Sequence, residues 1–360
     1  MRVDRVRATS FRVYDRLDCS FEGPITAIVG ANGAGKTTVL EAIHLALTGW
    51  SPRTTDDATM VQLGEDVLRV EVDAGVRGVP TTFALGLQPG QARRITVDGV
   101  GLRSADGLAE RAAVLIFTPD RLLIVKGAPG LRRRFLDRSV ARLWPRYART
   151  SSTYAKCVTQ RNHLLKRIRS RQAGTESLDA WDSQLAELGA EVCAARVRLV
   201  ERLQPGFRAH LAEIGELDGD VELRYEASGP TDRDGLAAQL AERRAGDIER
   251  AITTVGPQHH DLALLQDERD LRVYGSQGEQ RSAIVALLLA EADLVREIRD
   301  LRPLMLLDDV ASELDEGRVR RLVELVAQRG QVILTTTEEQ LVEGVAEQVV
   351  HVAGGRLVAR

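Results

Sequence analysis

The chain has 360 residues, a length typical of about two domains. Its 44% hydrophobic and 28% charged residues describe a globular protein and argue against a disordered or fibrous one. The formal net charge of −3 gives no overall attraction to a polyanion, and no run of about 18 apolar residues predicts a membrane span.

The first residues alternate polar and apolar side chains and lack the apolar core of a signal peptide. The three cysteines, Cys19, Cys157 and Cys193, are far apart and form neither a metal spacing nor a disulfide framework. We therefore expect a cytoplasmic protein whose cysteines are reduced packing residues.

Residues 1 to about 125 predict short strands around one helix. The helix covers Thr38–Thr48, where apolar residues recur at helical spacing. The strands are predicted at Ile25–Val29, Val67–Val72, Thr82–Leu87, Ile95–Val97 and Val114–Phe117.

The texture becomes helical from Leu131 to about Gln204. Apolar residues at steps of three and four predict helices around Tyr147–Ile168 and Leu178–Leu203, joined by a turn at Gln172–Thr175. This hairpin is too short to be a long coiled coil.

Alternating strands and helices return near Ile252. Leu262–Leu265 and Leu271–Tyr274 predict a β-hairpin, and Ser282–Ile298 predicts a long helix. Leu304–Leu307 and Val332–Thr336 are apolar runs of the kind buried in a parallel sheet. The fold class predicted is α/β, a P-loop NTPase sheet with flanking helices built from residues 1–130 and 250–360. Residues 131–249 form a mainly helical insertion domain.

A phosphate-binding loop is predicted after the strand Ile25–Val29. The pattern G-x-x-x-x-G-K-[ST] is matched by Gly30, Ala31, Asn32, Gly33, Ala34, Gly35, Lys36 and Thr37, and Thr38 follows. Glycines let backbone N–H groups approach phosphate, and the helix N-terminus adds partial positive charge. We predict that these nine residues bind ATP, with Lys36 on the β- and γ-phosphates and Thr37 on Mg²⁺.

The strand Leu304–Leu307 ends in two carboxylates, Asp308 and Asp309, a Walker B pattern. Charges are costly to bury, so paired acids at a strand end indicate a charged ligand nearby. We assign Asp308 to Mg²⁺ and Asp309 to polarising the attacking water. The alternative is a solvated strand end that caps a helix.

A second anion site is predicted at the start of the helix that includes Ser282–Ile298. Ser276, Gln277, Gly278, Glu279 and Gln280 place a hydroxyl, free N–H groups and a helix dipole together. They resemble the signature motif of ABC-type ATPases, and Ser312–Asp315 resembles the D-loop of those proteins. In ABC-type ATPases the signature completes the partner's nucleotide site, which implies an ATP-dependent homodimer. Alternatively, Ser276 is an ordinary N-cap.

Taken together, the motifs resemble the RecF family of bacterial repair ATPases, which is related to SMC and Rad50 heads. The resemblance spans nearly the whole chain. Besides the nucleotide motifs it is carried by Phe11–Tyr14, Leu40–Ile43, Phe117–Asp120, Lys126–Pro129 and Arg132–Asp137. The Arg-Arg-Arg-Phe-Leu-Asp block at 132–137 is not expected in transporters.

Two stretches depart from the pattern of such proteins. The family's Gly-Pro-His-Arg-Asp-Asp-Leu is replaced by Gly256–Leu262, which reads GPQHHDL, so His259 and His260 inherit no role from it. Many ABC ATPases carry a histidine after the strand that follows Walker B, whereas the stretch Val332–Thr337 contains none here. RecF-like proteins share this absence, which fits slow turnover.

The resemblance implies a weak, Mg²⁺-dependent and DNA-stimulated ATPase of recombinational repair. Such proteins bind single-stranded gaps and duplex junctions, act with RecR and RecO to load the recombinase, and support replication and SOS induction.

The charge distribution independently indicates a DNA partner. Residues 132–171 contain thirteen Arg or Lys against one acid, Asp137, a net +12, so the rest of the chain carries −15. We assign a DNA role to Arg132, Arg133, Arg134, Arg138, Arg142, Arg146 and Arg149. The alternatives are a solvated helix face paired with acids, and nucleotide or dimer contacts for Arg132–Arg134.

Two other functions remain open at this point. One is a structural DNA clamp like an SMC or Rad50 head, although the insertion is short for one. The other is a transporter ATPase subunit, which the basic helical insertion disfavours.

Overall fold

The computed structural model describes residues 1–215, 219–309 and 316–358. The chain divides into two compact units, one of Met1–Arg121 with Leu288–Arg360 and one of Leu122–Leu287. The sequence-based boundaries at 131 and 249 fall inside the second unit, so the insertion domain 131–249 remains a prediction. Among the described residues, no helix combines the length and apolar character needed to cross a bilayer.

The strands, in chain order, are β1 (Arg2–Phe11), β2 (Tyr14–Ser20), β3 (Ile25–Val29), β4 (Leu68–Val76), β5 (Val79–Leu87), β6 (Arg94–Val97), β7 (Val100–Leu102), β8 (Val114–Phe117), β9 (Val221–Glu226), β10 (Asp261–Gln266), β11 (Arg269–Asp270), β12 (Leu304–Leu307), β13 (Val332–Thr336), β14 (Gln348–Ala353) and β15 (Arg356–Val358). The α-helices are α1 (Lys36–Thr48), α2 (Asp106–Ala109), α3 (Leu123–Lys126), α4 (Pro129–Leu143), α5 (Ala148–Arg169), α6 (Leu178–Ile214), α7 (Arg233–Arg250), α8 (Leu271–Tyr274), α9 (Gln277–Arg299) and α10 (Glu316–Ala327).

A mainly parallel sheet in the first unit positions the nucleotide motifs. Its order is β15-β14-β3-β13-β12-β8, and β3, β8, β12 and β13 are buried along their whole length. Burial on both faces explains why these strands are continuous apolar runs without alternation. Since β3, β12 and β13 run parallel, their carboxyl ends meet at one edge. The phosphate loop, the acidic pair and the threonines of β13 therefore converge there.

An antiparallel sheet forms the rest of the first unit, in the order β2-β1-β4-β5-β6-β7. The helix α1 packs against β1, β4 and β5 of this sheet and against β8 and β13 of the parallel one. Its residues are buried nearly all round, and they join the core shared by the two sheets. The predicted strands at 67–72, 82–87 and 95–97 are confirmed as β4, β5 and β6.

The second unit is mainly helical. The predicted hairpin is confirmed as α5 and α6, which pack against each other, and α7 packs on both. The fully buried Arg161 ties these helices together, because its guanidinium bonds to Asp182 and Asp247 at 2.7 Å each. A three-stranded sheet, β11-β10-β9, completes the unit.

The predicted hairpin at 262–274 is wrong in its second arm. β10 forms as expected and also pairs with β9. After its turn, however, the strand that pairs with it covers Arg269–Asp270, and Leu271–Tyr274 is the short helix α8. The Asp270 carboxylate accepts the Arg272 N–H at 2.8 Å, a helix N-cap that ends the strand at that residue.

Candidate nucleotide site

The loop between β3 and α1 has a backbone that only glycine suits at its key positions. Gly33 and Gly35 have φ of 77° and 111°, in the range that side chains disfavour. A Cβ at Gly35 would lie 2.8 Å from the Tyr14 hydroxyl, and one at Gly30 would lie 2.3 Å from the Val352 carbonyl oxygen. The glycines therefore let the loop curl tightly over neighbouring backbone.

Lys36 closes this loop from inside. Its Nζ donates to the carbonyl oxygens of Gly30 at 2.7 Å and Ala31 at 3.0 Å, and its side chain is buried. Burial lowers the pKa of the ammonium, while the carboxylates of Asp309 and Asp308 act in the opposite direction. The lysine is therefore a partly desolvated cation held at the phosphate loop.

The other predicted loop residues take several positions. Asn32 and Ala31 are exposed at the tip, whereas Ala34 and Thr38 are buried. The Thr38 N–H bonds to the Gly35 carbonyl at 3.1 Å, so α1 begins at once after the loop. Its N-terminal N–H groups and dipole are directed at an anion held by the loop.

Thr37 and Asp308 meet although they are 271 residues apart. The Thr37 hydroxyl donates to Asp308 Oδ1 at 2.8 Å, and the Thr335 hydroxyl donates to the same oxygen at 2.8 Å. Burial raises the pKa of the Asp308 carboxyl, against the lowering effect of these two hydroxyl donors. A hydroxyl and a carboxylate are oxygen ligands of the kind Mg²⁺ prefers, so the pair fits that ion.

Asp309 leaves the strand in an unusual conformation. Its φ is 48°, and its backbone N–H donates to Thr335 Oγ1 at 2.9 Å. The acidic pair is thus part of the site at the sheet edge, which disfavours a merely solvated strand end. Thr335 was not singled out from the sequence, where the only signal was a run of three threonines ending β13.

A buried carboxylate beside the loop was also missed. Glu41 of α1 is fully buried and receives a bidentate bond from Arg12, a hydrogen bond from Ser51 and a longer contact from Arg53 at 3.4 Å. The charge of Arg53 also lowers the pKa of Asp308. Arg12 and Glu41 belong to segments that carry the family resemblance, but only the fold shows that they pair.

The signature residues begin α9 in the second unit. Glu279 N–H donates to Ser276 Oγ at 3.3 Å and Ser276 N–H donates to Glu279 Oε2 at 2.7 Å, a reciprocal capping box. Ser276 and Gln277 are exposed, and Gly278 is partly exposed. Gln280 is buried, and its amide donates to the carbonyls of Leu271 and Gly275.

Ser276 therefore does cap the helix, as the alternative interpretation of the motif proposed. Because Ser276 and Gln277 are exposed, the start of α9 is still accessible to an anion. The buried amide of Gln280 serves the packing of α8 on α9. The D-loop resemblance at 312–315 lies outside the described residues.

The basic stretch does not form one surface. Arg132 is buried, and its guanidinium makes a bidentate ion pair with Asp261 at 2.7 Å. Its assignment to DNA is therefore corrected to a structural one. Arg133 is half-buried and donates to the His260 carbonyl at 3.0 Å. Of the remaining assigned arginines, Arg134, Arg138, Arg146 and Arg149 are exposed and Arg142 is partly exposed.

The divergent stretch before β10 is structural in this chain. His259 Nε2 bonds to the Thr253 carbonyl at 3.0 Å. His260 is buried, lies 2.7 Å from the Tyr225 hydroxyl through Nδ1, and has a pKa lowered to about 4, chiefly by burial. Asp261, the next residue, holds the Arg132 guanidinium.

Comparisons with known proteins identify the family of this chain. A family model described as an AAA domain matches residues 5–87. A DNA replication and repair protein RecF from Heliobacterium modesticaldum is 38% identical, over 94% of this chain and 92% of its own length. The RecF of Streptomyces avermitilis is 37% identical over 96% of each chain. The chain belongs to the RecF family.

Solved structures extend the likeness to the fold. A structure of the recombination mediator protein RecF-ATP in the RecFOR pathway superposes with a TM-score of 0.92 at 28% identity, covering 99% of this chain and 97% of that one. An SMC head bound to a winged-helix domain of ScpA gives a TM-score of 0.58 at 15% identity, over 99% and 97%. The predicted fold of an ABC-type ATPase head is confirmed, and SMC heads share that fold. Membership of the RecF family supports a role in DNA replication and repair rather than in transport.

Proposed function

We propose that this RecF-family chain is an ATP-gated DNA-binding protein of recombinational repair. It binds Mg-ATP, dimerises on ATP, binds DNA in that state and hydrolyses ATP slowly, with stimulation by DNA. The observation that supports the proposal most directly is the 2.8 Å distance between Thr37 Oγ1 and Asp308 Oδ1, at the sheet edge where the glycine loop ends.

The loop and α1 supply the binding energy for the triphosphate. Lys36 Nζ exchanges its bonds to the Gly30 and Ala31 carbonyls for phosphate oxygens, so a cation is already in place when ATP arrives. Thr37 and Asp308 would hold Mg²⁺, which neutralises phosphate charge when bound. Both side chains would then turn their oxygens to the ion instead of to each other.

Asp309 is the residue we assign to the attacking water. It follows the metal-binding carboxylate directly, and its charge acts on Lys36. A carboxylate in that place can accept the proton of a water aligned with the terminal phosphate. The stretch Val332–Thr337 has no histidine, so this chain lacks a side chain that many ABC-type ATPases bring to the reaction, in keeping with slow turnover.

Dimerisation on ATP follows if the open tip of α9 binds the partner's nucleotide. The capping box uses the Ser276 hydroxyl and the N–H groups of Ser276 and Glu279, and the rest of the first turn offers further donors to a phosphate. ATP then stabilises the closed dimer because it contacts both copies only in that state.

DNA binding is assigned to the exposed basic residues of the second unit. Arg134, Arg138 and Arg142 recur every four residues along α4, so they share one face of that helix. Further exposed basic residues lie on or after α5, namely Arg149, Lys156, Lys166, Arg167, Arg169 and Arg171. Such charges bind phosphates regardless of base sequence, as a protein that binds DNA gaps and junctions requires.

Membership of the RecF family supports the proposal that the chain acts with RecR and RecO-like partners, in loading the recombinase on single-stranded, gapped or junction DNA in the cytoplasm. Support of replication and SOS induction belongs to the same proposal.

The test is a DNA-binding titration with and without Mg-ATP, on single-stranded, duplex and gapped substrates of equal length. We expect tighter binding with ATP and a preference for the gapped substrate. Equal affinity with and without ATP would reject the gating.

A further inference from the structure

Thr335, at the end of β13, contacts both acidic residues of the neighbouring strand end. Its side chain is fully buried. Its hydroxyl donates to Asp308 Oδ1 at 2.8 Å and accepts the Asp309 N–H at 2.9 Å. One hydroxyl therefore links the carboxylate of the first acid to the peptide nitrogen of the second.

The link acts where the backbone needs support. Asp309 has a φ of 48°, a left-handed conformation that non-glycine residues adopt only when their surroundings hold them there. On the opposite side, the Asp308 N–H donates to the Phe117 carbonyl at 2.8 Å and so continues the pairing of β12 with β8. The turn between the two acids is therefore held from β8 on one side and from β13 on the other.

We infer that Thr335 is a positioning residue for ATP hydrolysis, which holds Asp308 on Thr37 and fixes the left-handed turn that aims Asp309. The inference rests on the proposed function and adds a residue outside the nucleotide motifs.

A hydroxyl suits this role because a single oxygen atom donates to a carboxylate and accepts from an N–H at once. Threonine also suits the place sterically, since its β-branched side chain has few rotamers on a buried strand. Valine matches its shape and removes both hydrogen bonds, whereas serine keeps them.

The experiment compares Thr335→Val, Thr335→Ser and the control Thr336→Val. Thr336 is the next residue and is equally buried, and within the described part of the chain its hydroxyl bonds only to the backbone of Glu338. For each variant we measure turnover, KM for ATP, metal-free ATP binding, and Mn²⁺ affinity of the ATP complex by electron paramagnetic resonance.

For Thr335→Val we expect kcat to fall and Mn²⁺ binding to weaken by about 10- to 100-fold, the usual effect of removing a group that orients a metal ligand. Metal-free ATP binding should stay within about threefold of wild type, since the loop and Lys36 are intact. Thr335→Ser should recover most of both losses, and Thr336→Val should resemble wild type. If Thr335→Val fails to fold, Thr335→Ala and Thr335→Ser give the same comparison, because they differ only by the hydroxyl oxygen.

The double variant Thr335→Val/Asp309→Asn separates positioning from a general structural effect. If Thr335 acts on turnover through Asp309, the double variant should be no slower than Asp309→Asn alone when both are assayed at saturating Mg²⁺. Additive losses, or wild-type kcat and Mn²⁺ affinity in Thr335→Val, would overturn the inference and leave the proposed function standing. Wild-type turnover in Asp309→Asn would instead remove the proposed role of Asp309 itself.

Discussion

The arginines of α4 differ sharply in what their removal should do. Arg134 and Arg138 are exposed, whereas the side chain of Arg132 is 4% exposed and paired with Asp261 at 2.7 Å. We predict that Arg134→Gln/Arg138→Gln weakens DNA binding and lowers the melting temperature less than Arg132→Met does. Arg132→Met should instead destabilise the fold.

The magnitudes follow from the two environments. Removing one arginine–phosphate interaction lowers the slope of log affinity against log salt by about 0.9 on duplex DNA, so the slope of the double variant should fall by about 1.8. Between about 50 and about 200 mM salt, its affinity should then change roughly tenfold less than that of wild type. Removing Arg132 leaves a largely buried carboxylate unpaired, which costs on the order of 3 kcal/mol.

The assay is fluorescence anisotropy with labelled DNA in Mg-ATP at four salt concentrations, together with thermal melts. Arg233→Gln/Arg243→Gln, on exposed positions of α7 in the same unit, is the control with an equal charge change. An unchanged salt slope in Arg134→Gln/Arg138→Gln, or an equal change in the α7 control, would refute direct phosphate contact by this face of α4.

Three further predictions concern the nucleotide. Lys36→Met should abolish ATP binding because it removes the cation of the loop; equilibrium dialysis showing wild-type affinity would contradict that role. Asp309→Asn should bind ATP but turn over at least about 100-fold more slowly, and should accumulate as a dimer; normal phosphate release would exclude Asp309 as the base. Ser276→Arg should prevent ATP-dependent dimerisation, because a long cation would occupy the open helix tip. Dimers that persist in sedimentation velocity would show that the tip is not part of the interface.

The sequence predicted β3, β8, β12 and β13 of the central sheet because these strands are buried on both faces, whereas β14 and β15 were not predicted. Short, unbroken apolar runs are typical of strands buried in a parallel sheet, and they occur here at Val114–Phe117, Leu304–Leu307 and Val332–Thr336. The helices α5 and α6 were equally clear, since their apolar residues recur over many turns.

What failed depends on partners that are distant in sequence. Arg132 and Arg161 belong to one basic run, yet each is buried against carboxylates as far as 129 and 86 residues away. Local charge cannot reveal such pairs. Similarly, Leu271–Tyr274 alternates like a strand, but the Asp270 side chain caps a helix there. Thr335 contacts the two acidic residues only because the strand register places the end of β13 beside the end of β12.

The most direct measurement is a structure of the Asp309→Asn protein with ATP and Mg²⁺. We predict a dimer in which the triphosphate lies on the loop of one copy and against the tip of α9 of the other. Thr37 Oγ1 should lie about 2.1 Å from the metal, with Asp308 facing it directly or through water. A triphosphate bound elsewhere, or an Asp308 carboxylate turned away from the metal, would contradict the proposed site.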